Sequence, residues 1–176
     1  NDFCLTLYNL TASLGESEFS ALILAWFDKN KRESPWRQSN NAYQIWLSEI
    51  ILQQTRVSQG LPYYYKFINA FSSVEDLAKA KNDDVLRLWQ GLGYYSRARN
   101  LHKCAKKIAE DYDGIFPDSV DELKKLPGIG NYTAAAIASQ AYNRVVPVVD
   151  GNVYRLLSRY YGVETDIGSS AAYKEF

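Results

Sequence analysis

Leu126-Pro127-Gly128-Ile129-Gly130-Asn131-Tyr132 is the stretch on which the fold turns. A helix-like run from Ser119 to Lys125 precedes it, and Thr133-Ala134-Ala135-Ala136-Ile137-Ala138 follows. Pro127 ends the first helix, because proline lacks an N–H and disfavours helical backbone just before it. Two glycines in three residues permit left-handed backbone and leave no side chain in the way. Ile129 between them can plug into a core and fix the turn. The second helix then opens with backbone N–H groups and the positive end of its dipole, which suits an anion. Such a turn grips phosphate without reading base identity. The same residues also suit a plain αα-turn, since Gly-rich connections between helices are common. The alanines of the second helix favour the phosphate-gripping form, because small side chains let the two helices pack closely.

Outward from this turn the pattern is helical almost throughout. Phe19, Leu22, Ile23, Trp26 and Phe27 recur at helical spacing, as do Tyr43, Trp46, Leu47, Ile50 and Ile51. Further helices are predicted over 59–70, 74–80, 83–90 and 95–111. Ser73-x-x-Asp76 and Ser119-x-x-Glu122 have the form of capping boxes. Glycine and proline punctuate the intervals at Gly91 and Gly93 and at Gly114 with Pro117. Val145-Val146-Pro147-Val148-Val149 is β-branched, but Pro147 interrupts it, and it reads as a buried extended connection. Trp26, Trp46 and Trp89 are expected in core packing. The fold class is all-α.

Composition narrows the function. The 176 residues are 47% hydrophobic, which suffices for a core and excludes a disordered chain. No apolar run reaches the ~18 residues of a membrane-spanning helix, and no signal-peptide pattern opens the chain. Cys4 and Cys104 lie a hundred positions apart, which excludes a disulfide scaffold and a cysteine-built metal site. A reducing, cytosolic setting is the default. Twenty basic and twenty acidic residues cancel, yet they are not evenly spread. Residues 1–30 carry a net −3, residues 31–107 a net +7 and residues 108–176 a net −4. The middle segment is therefore the place to seek phosphate contacts. Its densest run is Arg97, Arg99, Lys103, Lys106 and Lys107, which also reads as an ordinary solvated helix face. The chain holds no Met and stops amid polar and apolar alternation at Tyr173-Lys174-Glu175-Phe176, so a fragment is expected.

Two carboxylates stand out. Glu49 has Ile45, Trp46 and Leu52 as its helical neighbours, all apolar. Burial disfavours the charged form of a carboxyl, and a Glu held protonated near neutral pH can donate a proton. The alternative is a Glu at the edge of the apolar stripe, snorkelling outward or paired with Arg56. Asp150, in Val148-Val149-Asp150-Gly151-Asn152-Val153, precedes a helix-like run, where a lone Asp is ordinarily an N-cap.

The hairpin resembles the helix-hairpin-helix of the base-excision DNA glycosylases, in which a catalytic Asp follows the hairpin by about twenty residues. Asp150 lies twenty positions after Gly130. Pro35-Trp36-Arg37, then Tyr43-x-Ile45-Trp46-Leu47-Ser48-Glu49-Ile50-Ile51-Leu52-Gln53-Gln54-Thr55-Arg56-Val57, and Leu88-Trp89-Gln90-Gly91-Leu92-Gly93-Tyr94-Tyr95-Ser96-Arg97-Ala98-Arg99-Asn100-Leu101 closely resemble the MutY family of adenine DNA glycosylases. The resemblance covers residues 20 to 176. It implies a six-helix barrel lobe over 29–141 with the helix-hairpin-helix at 119–141. It implies too that an N-terminal helix, 1–28, and a catalytic-Asp segment, 142–176, belong to an incomplete second lobe.

The resemblance also implies chemistry. Adenine mispaired with 8-oxoguanine or guanine is flipped from double-stranded DNA and removed. Glu49 matches the acid that protonates adenine N7, and Asp150 the carboxylate that stabilises the oxocarbenium-like sugar, as in two-carboxylate glycoside chemistry. Tyr132 and Asn152 match residues assisting them. Relatives with a Schiff-base lysine place it where Tyr132 stands. A phenol cannot form that adduct, so a monofunctional glycosylase is implied. Gln54 and Tyr94 match residues that enter the base stack. Thr55, Arg97 and the hairpin residues Leu126, Gly128, Ile129 and Gly130 match DNA contacts. Trp36, Arg37 and Leu52 match the adenine pocket, Arg37 also a strand contact. The family implies a [4Fe–4S] cluster held by four cysteines in a later region, a monovalent cation at the hairpin 126–130, a monomer, and a cytoplasmic, nucleoid-associated setting if bacterial. None of the cluster's ligands stands in this chain, and the domain that reads 8-oxoguanine is missing. Exposed apolar surface on Phe19, Ile23 and Phe27 is therefore expected. A thymine–guanine mismatch glycosylase, a non-catalytic DNA-holding module and an all-α interaction domain are the competing readings.

Overall fold

The computed structural model describes residues 18–31, 33–161 and 164–166. Among them are nine α-helices, one 3-10 turn and no strand, as the periodicity predicts. The helices are α1 (Glu18–Asn30), α2 (Ala42–Leu52), α3 (Val57–Ala70), α4 (Val74–Lys79), α5 (Asn82–Trp89), α6 (Tyr95–Asp111), α7 (Val120–Leu123), α8 (Asn131–Tyr142) and α9 (Gly151–Tyr161). The 3-10 turn is Pro35–Arg37, with proline in its first turn, where a missing N–H is harmless. The chain divides into two compact units. One is Arg32–Arg144; the other is made of the segments up to Lys31 and from Val145 onward.

Within the larger unit α2 is the central element. Tyr43, Ile45, Trp46, Leu47, Ser48, Glu49, Ile50 and Ile51 are all buried. A helix that is apolar all round must be enclosed on every side, and α2 packs against the 3-10 turn, α3, α6 and α8. Asn41 starts it, its side-chain oxygen accepting from the Gln44 N–H at 3.2 Å. Fully buried Trp46, Leu47, Ile51, Phe67, Leu77, Trp89, Leu101, Leu123 and Ile137 draw the core from seven helices. Thr133, the four alanines from Ala134 to Ala138, Ile137 and Ser139 are buried on α8, so their small volume sets how closely α8 approaches α2.

Local signals fared unevenly. Ser73 caps α4, its Oγ accepting from the Asp76 N–H at 3.2 Å. Ser119 precedes α7 in extended backbone but makes no side-chain cap bond, so the second expected capping box does not form. Val148 is buried, but Val145 is 61% exposed and Pro147 is exposed, so 145–149 is not the buried connection expected.

In the smaller unit the ring of Phe19 on α1 stacks on Tyr160 of α9 at 3.8 Å. That contact keeps Phe19 half-buried, as are Ile23 and Phe27. The exposed apolar residues of α1 are instead Leu22, at 64%, and Trp26, at 58%. Trp26 is therefore not the core residue expected, unlike Trp46 and Trp89. Cys4 and the stretch Tyr173-Lys174-Glu175-Phe176 lie outside the described residues.

Candidate nucleic-acid interface and carboxylate sites

The hairpin joins α7 to α8. Leu126 and Ile129 are buried, and the Ile129 N–H donates to the Leu126 carbonyl at 3.2 Å, closing the turn. Their side chains thus face the core, which leaves the turn's backbone and the half-buried ring of Pro127 open to a ligand. Gly128 has φ 78°, and a Cβ there would stand 2.9 Å from Cβ of Asn100 on α6. Glycine is required on both counts. Gly130 is different: its φ is −93°, and a Cβ would meet nothing within 4 Å. It is the N-cap of α8 and supplies no side-chain cap. The first intrahelical bond runs from the Ala134 N–H to the Gly130 carbonyl at 2.9 Å. The backbone N–H groups of this first turn therefore lie at an exposed, uncapped helix start, the arrangement that suits a phosphate.

Glu49 is buried, with 7% of its surface exposed, so it does not snorkel outward. The cause is its helix, enclosed on all sides. At the end of α2, Gln53 Nε2 donates to Thr133 Oγ1 of α8 at 3.4 Å, tying this helix to the second helix of the hairpin. Tyr132, half-buried, sits in the first turn of α8. Trp36 is buried with its ring edge-on to Tyr64 at 5.1 Å, while Arg37 and Leu52 are half-buried. These residues all belong to the unit Arg32–Arg144, as do Gln54, Thr55, Tyr94 and Arg97.

Asp150 and Asn152 belong to the other unit. Asp150 Oδ1 accepts from the N–H groups of Asn152 at 2.8 Å and Val153 at 2.9 Å, and Oδ2 accepts from Asn152 Nδ2 at 2.9 Å. Asp150 is thus an N-cap of α9, holding helix N–H groups that would otherwise lack a partner. Asn152 is held in turn by Arg155, whose Nη2 donates to Asn152 Oδ1 at 2.6 Å. Arg155 escaped the sequence reading. Its signal was the i, i+3 spacing from Asn152, which puts both on one helix face.

Gln54 and Tyr94 are exposed, and both have positive φ, at 56° and 47°. Arg97 departs from expectation. Its guanidinium points into the protein and donates to main-chain carbonyls rather than presenting itself to a phosphate. Lys107 pairs with Asp111, which leaves Arg99, Lys103 and Lys106 as the exposed bases of α6. A sequence view could not separate these five cations, because each stands in a similar string.

An iron–sulfur cluster needs four thiolates. The described residues hold one cysteine, Cys104, fully buried on α6 with its thiol pushed up to about 12 by burial, and no group of three or more His, Cys, Asp or Glu fit to hold a metal. These residues do not fit the cluster.

Residues 47–176 match the family described as HhH-GPD superfamily base excision DNA repair protein. The chain is 50% identical over 146 residues to the adenine DNA glycosylase of Buchnera aphidicola subsp. Acyrthosiphon pisum, covering 82% of this chain and 42% of that one. It is 40% identical over 173 residues to the human adenine DNA glycosylase, covering 93% of this chain and 32% of that one. The chain thus spans less than half the length of these relatives. Among solved structures it is similar to a thermostable thymine-DNA glycosylase, with TM-score 0.81, 28% identity, and 89% and 74% of the two chains covered. An endonuclease III bound non-covalently to DNA shares the fold at TM-score 0.71 and 20% identity, with 85% and 70% covered. With a hairpin of the kind its name requires and a match over most of its length, the chain belongs to the HhH-GPD superfamily of base excision DNA repair proteins.

Proposed function

We propose that the protein is a base-excision glycosylase that removes adenine from double-stranded DNA where it is mispaired with 8-oxoguanine or guanine. The observation that carries this reading is Glu49, a buried carboxyl on the helix that packs against the second helix of the hairpin. The identity to adenine DNA glycosylases supports the choice of base. Glu49 delivers a proton to adenine N7. The N-glycosidic bond then breaks with its electron pair going to the base, and Asp150 stabilises the cationic sugar. Water adds to that sugar and returns a proton to the Glu49 carboxylate. Asn152 orients the Asp150 carboxylate through the Nδ2 bond, and Tyr132 assists from the first turn of α8. With no lysine at 132, release is hydrolytic. Gln54 and Tyr94 enter the base stack, while the hairpin backbone and Thr55 hold the phosphate strand. A monovalent cation at 126–130 would add positive charge there. Trp36, Arg37 and Leu52 form the adenine pocket.

The test is single-turnover adenine release by the full-length protein on an A·8-oxoguanine duplex. Glu49→Gln and Asp150→Asn should each slow release by about 10²–10⁴-fold while DNA affinity survives. Wild-type rates in either variant would refute the assignment. Thymine release from T·G pairs is the second reading, favoured by the likeness to a thymine-DNA glycosylase. Product analysis on the two duplexes separates them.

A further inference from the structure

One guanidinium ties together the two loops that carry Gln54 and Tyr94. Arg97 Nη1 is shared among the carbonyl oxygens of Ile50 at 3.3 Å, Ile51 at 3.1 Å and Gln53, and Thr55 Oγ1 at 3.3 Å. Its Nη2 donates to the carbonyls of Leu92 at 3.3 Å and Gly93 at 3.5 Å. The same group lies over the ring of Trp89 at 5.2 Å and the ring of Tyr94 at 5.6 Å. Trp89 adds a second hold on the Gly93 carbonyl, its Nε1 donating at 2.9 Å. The carbonyls of Ile50 and Ile51 belong to the last turn of α2, which lacks helical partners for them and welcomes a cation.

Gln54 and Tyr94 immediately follow the held carbonyls of Gln53 and Gly93, and both adopt left-handed backbone. Such backbone is costly for residues other than glycine and persists only where the surroundings over-determine it. Tyr94 is 66% exposed, so core packing does not supply that restraint. The guanidinium adds to the backbone bonds from the Thr55 N–H to the Leu52 carbonyl and from the Arg97 N–H to the Tyr94 carbonyl, gripping the backbone before Tyr94 and covering its ring. A planar fork of donors with a flat face suits this task; an ammonium has neither the fork nor the face.

We propose that Arg97 is a positioning residue that locks loop 53–55 to loop 92–94, so that Gln54 and Tyr94 meet a DNA duplex as one fixed two-pronged wedge. This rests on the reading of those two side chains as the ones that enter the base stack. It replaces the role of phosphate contact: Arg97 acts on DNA through its neighbours.

The test uses the full-length protein and a duplex with 2-aminopurine beside the target adenine, whose fluorescence rises on unstacking. Arg97→Lys keeps the charge and removes the fork. It should suppress the fluorescence rise and slow single-turnover release by about 10–100-fold, with a thermal melt showing a folded protein. Arg97→Gln should leave the slope of log affinity against log salt unchanged, whereas loss of a phosphate contact lowers it by about 1. A lowered slope, or a wild-type fluorescence rise in Arg97→Lys, overturns the proposal. Should Arg97→Lys not fold, Thr55→Val removes one acceptor without a charge change. It should reduce the fluorescence rise in the same direction; an unchanged rise overturns the proposal. Gln54→Ala and Tyr94→Ala are the reference variants. If neither alters the signal, the wedge reading itself fails; if both do and the Arg97 variants do not, only the role of Arg97 fails.

Discussion

His102 is the chain's one histidine, and it is buried on α6. Burial holds its imidazole below the usual 6.5, and the charge of Lys106 adds to that; hydrogen bonds to the carbonyls of Ala80 and Ala78 oppose it. The unfolded chain therefore takes up this proton before the folded one does. The resulting stability is complete above about pH 6.5 and is lost as pH falls below it toward the lower folded value. Urea midpoints measured between about pH 7 and pH 5 should fall, and His102→Gln should flatten that dependence. At the same scale, Arg97 shows why residue type alone misleads. An arginine in a basic run reads as a phosphate contact, but its neighbours in space are carbonyl oxygens from the end of α2 and from two loops, more than forty positions apart in the case of Ile50 and Arg97.

The hairpin is where element-scale physics separates two glycines. Gly128→Ala meets both a left-handed backbone and the Asn100 side chain, and should destabilise the chain by about 1–2 kcal/mol, read by thermal or urea denaturation. Gly130→Ala meets open space at an ordinary φ. Its stability should stay within about 1 kcal/mol of wild type, while affinity for duplex DNA falls because the new methyl group stands at the uncapped helix start. Equal losses of stability in the two variants would remove the distinction. Sequence marked both glycines but could not say which was structural, since the deciding neighbour, Asn100, comes from a different helix. Helix positions were legible for a related reason. Apolar spacing of 3.6 is local, and the predicted spans 59–70, 74–80, 83–90 and 95–111 agree with α3 to α6 within two residues at each end.

For the molecule as a whole, tryptophans report where apolar pattern becomes core. Trp46 is fully buried and touches Phe116 and Tyr43 with its ring, at centroid separations of 5.3 and 6.1 Å. Trp46→Ala should cost about 3–5 kcal/mol of unfolding free energy. Trp26→Ser should change it by about 0.5 kcal/mol or less, because that ring is largely in solvent. Urea denaturation of the chain measures both. The two residues stand at similar helical spacing, but the string around Trp46 is apolar on every side while Asp28, Lys29 and Asn30 follow closely on Trp26. What differs is enclosure: α2 is surrounded by four elements, whereas α1 leaves Leu22 and Trp26 uncovered.

Sequence by itself determined the helical class, the hairpin between Pro127 and Asn131, and the conspicuous carboxyl of Glu49 in an apolar setting. These follow from short-range rules of backbone geometry, periodicity and chemical type. Tertiary structure alone decided that Glu49 is buried on every side and that the Arg97 guanidinium turns inward to two loops. Those outcomes depend on which distant groups share a volume, and burial and hydrogen-bond pairing are properties of that volume rather than of the string.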